Sequence, residues 1–194
     1  MLGMHNVEPY AIKGYQHEYL LRQNKPGGGV SIFIKDNITY KSRNDLNFSC
    51  DDYEFLWVEI DKTSINSKSN LVIGTIYRRP GSNPVEFNNK LSEILHLIKF
   101  ENKDCIHTGD YNLDLLKHDV HAPTNDFINL NMANSFIPQI VKPTRITPIT
   151  ATIIDNFFSN KLEGSQSGII ISDITIQFFL SMMKSNTIAK TSRF

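Results

Sequence analysis

Residues 107–116 read HTGDYNLDLL and follow the short apolar run Cys105–Ile106. Strands disfavour glycine, aspartate and asparagine, yet Gly109, Asp110 and Asn112 follow almost directly on Cys105 and Ile106. A buried strand with such an ending is leaving its sheet at a sharp turn. In α/β sheets, ligands collect beyond strand ends, where side chains converge without filling the core. Gly109 permits the exit, Asp110 can hold a hard cation or accept a proton from water, and Asn112 can donate a hydrogen bond to an anionic oxygen. Gly-Asp-x-Asn is also ordinary turn chemistry, because Asp and Asn readily bond their own backbone. The stretch alone leaves both readings open.

Upstream, PGGGVSIFIK (26–35) sets a glycine run before the alternating Val30, Ile32 and Ile34, the pattern of a half-buried strand entered from a tight turn. Phosphate-cradling glycine loops precede helices, so this run reads as a turn. YEFLWVEI (53–60) and NLVIGTIYRR (70–79) are rich in β-branched and aromatic residues and read as neighbouring strands. The period then changes. Phe87, Leu91, Ile94, Leu95 and Ile98 recur at helical spacing after Ser82, Asn83 and Pro84, which predicts a helix of about four turns. Downstream of the strand DCIHTG, a second helix is predicted within APTNDFINLNMANSF (122–136), capped by Thr124 or Asn125. TIIDNFFS (152–159), SGIIIS (167–172) and ITIQFFLSMM (174–183) read as strands, and the end reads as a frayed tail. Strand pairs interrupted by single helices predict a layered α/β protein with a mixed sheet, as one domain over 1–183 with a tail at 184–194.

Composition narrows the class. The 194 residues are 40% hydrophobic and 21% charged, the balance of a globular protein rather than a disordered one. Twenty basic and twenty acidic residues cancel, which removes the bulk electrostatic case for nucleic-acid binding and leaves only a local patch. Cys50 and Cys105 form neither a CxxC pair nor a zinc-finger spacing, and no signal-peptide pattern opens the chain, so an intracellular, reducing location (nucleus or cytoplasm) is expected. The apolar stretch GIIISDITIQFFLSMM carries Asp173 and Gln177 and is too short to span a bilayer.

Four separated segments, taken in order, supply more than any one alone. TIYRRPGS (75–82), HTGDYNLD, the span from KPTRIT to ATIIDNFFSN (142–160) and SGIIISDIT (167–175) resemble the endonuclease domain of non-LTR (LINE-type, jockey- and CR1-like) retrotransposons. That domain is a branch of the endonuclease/exonuclease/phosphatase family. The resemblance runs from about Gly14 to Phe179 and includes the GGGV and TNDF blocks. It implies a four-layer, DNase I-like α/β sandwich of two mixed β-sheets flanked by helices, and Mg²⁺-assisted hydrolysis of DNA phosphodiesters by one part of a reverse-transcriptase polyprotein. Position by position, it implies that Asp110 positions or deprotonates the attacking water and that Asn112 and Tyr77 contact the scissile phosphate. Asp155 would orient a catalytic histidine. Arg145 is implied as a phosphate contact, with a solvated loop arginine as the alternative. Asp110 and Asp173 are implied as metal-side acids, although Asp173 matches either of the family's two SD aspartates.

The pattern also departs from the family. The family's first strands, which carry an asparagine and then a metal-binding glutamate, have no counterpart here, so the sheet is expected to lack its first strands and to show an unpaired edge. Ile176 and Gln177 stand where the family has aspartate and histidine. Glutamine keeps hydrogen bonding but cannot carry charge or exchange a proton near neutral pH. Two further readings follow: a non-catalytic nucleic-acid- or protein-binding remnant, and a phosphoesterase built on Asp110, Asp155 and Asp173 with His107 or His118 as base. On its apolar strand, His107 reads as a packed histidine rather than a catalytic one.

Overall fold

Alternation between two apolar faces builds the molecule. The computed structural model describes residues 11–22 and 28–161, together with the backbone of strands 165–171, 176–182 and 188–193. In chain order the elements are β1 (Tyr15–Leu21), β2 (Gly29–Lys35), β3 (Tyr40–Ser42), β4 (Phe48–Ser49), β5 (Tyr53–Ile60), β6 (Leu71–Arg78), α1 (Pro84–Phe100), β7 (Asp104–Asp110), a 3₁₀ turn (Leu115–Lys117) and α2 (Ala122–Ala133). They continue as β8 (Ile137–Pro138), β9 (Arg145–Ile146), β10 (Ala151–Thr152), β11 (Asp155–Ser159), β12 (Ser165–Ile171), β13 (Ile176–Met182) and β14 (Ile188–Arg193). One sheet has the order β3-β5-β6-β7-β11-β8 with β4 also on β5, and it is mixed because β6 and β7 run parallel across the α1 crossover. The second has the order β1-β2-β14-β13-β12, with antiparallel pairs throughout. β9 and β10 form a separate small hairpin.

All of β5 and β6 is buried, so each strand feeds two cores. Phe55, Trp57, Val72 and Ile76 face the helices and meet Phe87, Leu91, Ile94, Leu95 and Ile98 of α1 and Phe127 of α2. The alternate residues Leu56, Val58, Ile73 and Ile106 face the second sheet and pack on Val30, Ile32 and Ile34. The α/β architecture of two sheets flanked by helices therefore forms as expected, and among the described residues both helices cover the mixed sheet. α1 starts where its signals stand: the Asn83 side chain accepts from Val85 N at 3.0 Å and Pro84 occupies the first turn. α2 begins two residues before the expected cap at Thr124. His121 takes the N-cap position without a side-chain cap bond, because Pro123 fits a first helical turn and Thr124 is buried inside it.

Besides the short strands β3, β4 and β8–β10, two longer elements were not expected from the sequence. β1, YQHEYLL, pairs along its length with β2, and its mixed polar face suits a sheet edge. Residues 188–193 of the expected tail form β14, which lies between β2 and β13 and pairs with both. That placement makes β14 an interior strand of the second sheet, whose edges are β1 and β12. Among the described residues, no helix is long and apolar enough to cross a membrane.

Candidate active site

Register brings the sequence-distant candidates together. Glu54 pairs with Tyr77, Tyr77 with Asp110, and Asp110 with Asp155, across β5, β6, β7 and β11. Residues opposite one another in a ladder share a face, so the four side chains form one row facing the second sheet. One step deeper the row is Leu56, Thr75, Thr108 and Phe157, and the next is Val58, Ile73, Ile106 and Ser159. The inter-sheet face thus turns from apolar at depth to acidic and phenolic at its rim. Tyr77, Asp110 and Asp155, predicted separately, converge there.

The turn after β7 explains why a buried strand can end on GDYN. A Cβ on Gly109 would stand 1.7 Å from the Ile76 carbonyl oxygen, so only glycine lets β7 lie this close to β6. Asp110 Oδ1 accepts from the Asn112 N–H at 3.1 Å, and Asn112 sits at φ +47°, a left-handed conformation that asparagine tolerates. Asn112 Nδ2 donates to the Arg78 carbonyl at 2.6 Å. Turn chemistry and site chemistry are therefore properties of the same residues. From behind, Arg78 braces the turn, donating to the carbonyls of Tyr111 (3.2 Å), Asn112 (3.1 Å) and Ser82 (2.5 Å). Burial lowers its pKa, with the Asp110 charge acting in the opposite sense.

Asp114 fastens the outgoing loop to the strand that carries Asp155. Its Oδ1 accepts from Ile153 N at 3.0 Å and from Leu116 N at 3.3 Å, while Tyr111 N and Leu115 N donate to the carbonyls of Ile154 and Ile153. Asp114→Ala removes a cap and leaves an N–H of this part-buried ladder without its acceptor, an expected loss of about 1–2 kcal/mol in urea unfolding.

The PTR segment contributes a different residue from the one its charge suggests. Thr144 Oγ1 donates to Asp155 Oδ2 at 2.9 Å, whereas Arg145 lies exposed on β9. Asp155, implied as the partner of a histidine, thus has a buried hydroxyl as a partner. Asp173 lies outside the described residues. Among the described residues, no three His, Cys, Asp or Glu side chains cluster so as to hold a metal ion. Mg²⁺ requires near-octahedral oxygen ligation, and the described face offers the Glu54, Asp110 and Asp155 carboxylates, each with an oxygen already accepting from a protein donor. By themselves these residues do not fit a metal centre.

His107 is structural. It is fully buried on the helix side, stacked on Phe158 at 5.0 Å between ring centroids. Asn131 Nδ2 donates to the Phe127 carbonyl, so Asn131 Oδ1 accepts from His107 Nε2–H at 2.8 Å, and the other ring nitrogen accepts from the Tyr111 hydroxyl at 2.8 Å. Burial lowers its pKa to about 3. A group so enclosed cannot serve as a solvent-facing base. His118, the other base considered, is about half-exposed beside Asp119.

No protein-family model and no curated protein matches the chain. Solved structures do. The endonuclease domain of TRAS1, a telomere-specific non-LTR retrotransposon, aligns over 94% of this chain and 79% of its own, with a TM-score of 0.64 and 12% identity. An endonuclease/exonuclease/phosphatase family protein from Leptotrichia buccalis aligns over 94% and 72%, with a TM-score of 0.55 and 13% identity. The human nocturnin catalytic domain with bound sulfate aligns over 93% and 72%, with a TM-score of 0.53 and 12% identity. The chain therefore has the DNase I-like fold of endonuclease/exonuclease/phosphatase proteins, with a retrotransposon endonuclease domain among its structural neighbours.

Proposed function

We propose that this chain is an endonuclease domain of the non-LTR retrotransposon type whose substrate is the DNA phosphodiester backbone, in a form that has lost efficient hydrolysis. The observation that carries the reading is the register row Tyr77–Asp110–Asp155 at the rim of the inter-sheet face, with Asn112 beside it. A phenol and an amide at a strand-end turn suit a phosphate oxygen, and a neighbouring carboxylate suits the attacking water. The retrotransposon likeness supports DNA as the substrate class, and the family chemistry is Mg²⁺-assisted. In the family this domain forms part of a reverse-transcriptase polyprotein, and we assign the chain the same origin.

Loss of hydrolysis follows from Gln177, which stands at the family's histidine position. A missing general acid/base removes roughly a hundredfold to ten-thousandfold of rate. What remains is a phosphate-docking face, and the net charge of zero makes its affinity weak. Plasmid nicking in Mg²⁺ tests this reading. The parent and Asp110→Ala forms are expected to nick at the same background rate, and clear Asp110-dependent nicking would restore an active enzyme.

A further inference from the structure

Glu54 belongs to the same row but is absent from the motifs that identify the site. Its side chain is 0% exposed, and its Oε1 accepts from Arg22 Nε at 2.6 Å. Arg22 follows β1 in the second sheet, so this ion pair joins the two sheets at the end that carries Tyr77 and Asp110. The Arg22 guanidinium carbon lies 5.7 Å from the Tyr77 ring centroid, within cation–π range. Gly28 packs beside it: at φ +88°, a conformation that favours glycine, it would place a Cβ 3.4 Å from that carbon.

We propose that Arg22, held by Glu54, is a positioning residue for Tyr77: it fixes the ring against the inter-sheet face and polarises it, so that the phenol hydroxyl is a stronger donor to a phosphate oxygen. This inference rests on the phosphate-docking reading above. The geometry favours it over a purely structural clasp because the cation sits over the ring of the one phenol in the row. A carboxylate opening the apolar strand YEFLWVEI requires a charged partner, and the arginine supplied reaches the ring as well as the acid.

Two measurements test the proposal. In protein carrying ¹³Cε-labelled tyrosine, the Tyr77 resonance, assigned by its disappearance in Tyr77→Phe, is expected to move in Arg22→Lys while the other tyrosines stay in place. Lysine retains a charge for Glu54 but lacks the planar guanidinium, and a thermal melt confirms that the variant folds. Should Arg22→Lys not fold, Glu54→Gln, which loosens the arginine without removing it, is expected to shift the same resonance. In the second arm, a short DNA duplex is titrated into the parent, Arg22→Lys, Tyr77→Phe and the double variant. Tyr77→Phe is expected to weaken binding by about tenfold, a hydrogen bond to a charged group, and Arg22→Lys is expected to add less than twofold in the Tyr77→Phe background. An unmoved Tyr77 resonance, or losses that multiply, would overturn the positioning role. If the parent binds no DNA, the phosphate-docking reading fails, and the resonance in the variants still decides whether Arg22 positions Tyr77.

Discussion

Gly109→Ala is expected to destabilise the fold by about 3 kcal/mol or more, the upper range of overpacking in a closed site. The added methyl meets the Ile76 carbonyl at 1.7 Å, and backbone, unlike the end of a flexible side chain, cannot swing aside. Relief requires β7 to separate from β6, which breaks the parallel ladder at Tyr77 and Asp110, so stability and site geometry fail together. For a chain of this size the melting temperature should fall by about 6–12 °C. Gly81→Ala is the control. Gly81 sits at φ +78° with nothing within 4 Å of a built Cβ, so its cost is backbone strain alone, about 1–2 kcal/mol. Equal losses at the two positions would show that the close approach of β7 to β6 is not what Gly109 provides.

Acid should unfold the protein from an unusually high pH. His107 is held neutral with a pKa of about 3, against an ordinary value of 6.5. Below pH 6.5 the unfolded chain binds a proton that the folded one refuses, so stability that is complete above 6.5 is lost as the pH falls towards 3. The slope is about 1.4 kcal/mol per pH unit. Burial alone would raise Glu59, but hydrogen bonds from Asn70 and Lys103 more than offset this and bring it to about 2 from 4.5, so its losses begin only below pH 4.5. Between pH 6.5 and 4.5 the histidines therefore act first. Burial also lowers His17, so the difference between the parent and His107→Gln isolates the contribution of His107. Urea midpoints from pH 7 to pH 5 should fall steeply in the parent and much less in His107→Gln. Parallel curves would mean that His107 accepts a proton within the fold.

How far the sequence foretold this depends on what each residue's neighbours supply. β5, β6, β7 and α1 were legible because their own periodicity specifies two buried faces or one apolar stripe. β1 was not, since Gln16, His17 and Glu18 are tolerable only at an edge, and edge position is a property of the assembled sheet. β14 reads as a polar tail because strands on either side complete its hydrogen bonds. At the site, Tyr77, Asp110 and Asp155 were found through motifs, and Arg145 drew attention by its charge. Asp155 bonds the adjacent Thr144, which lies in the same KPTRIT segment but, being uncharged, was not singled out. Glu54 did leave a signal, an acid near the start of a largely apolar strand, but its meaning depends on Arg22, 32 residues away in the chain.

On the proposed function, a DNA phosphate docks on the rim where Tyr77, Asp110, Asn112 and Asp155 meet. Adding a short duplex to protein with ¹³Cε-labelled tyrosine reads that rim directly. The Tyr77 resonance is expected to move with DNA at low salt and to return as salt is raised, because salt cations compete for the phosphates. A Tyr77 resonance that stays fixed while DNA binds would place the nucleic acid on another surface and contradict it.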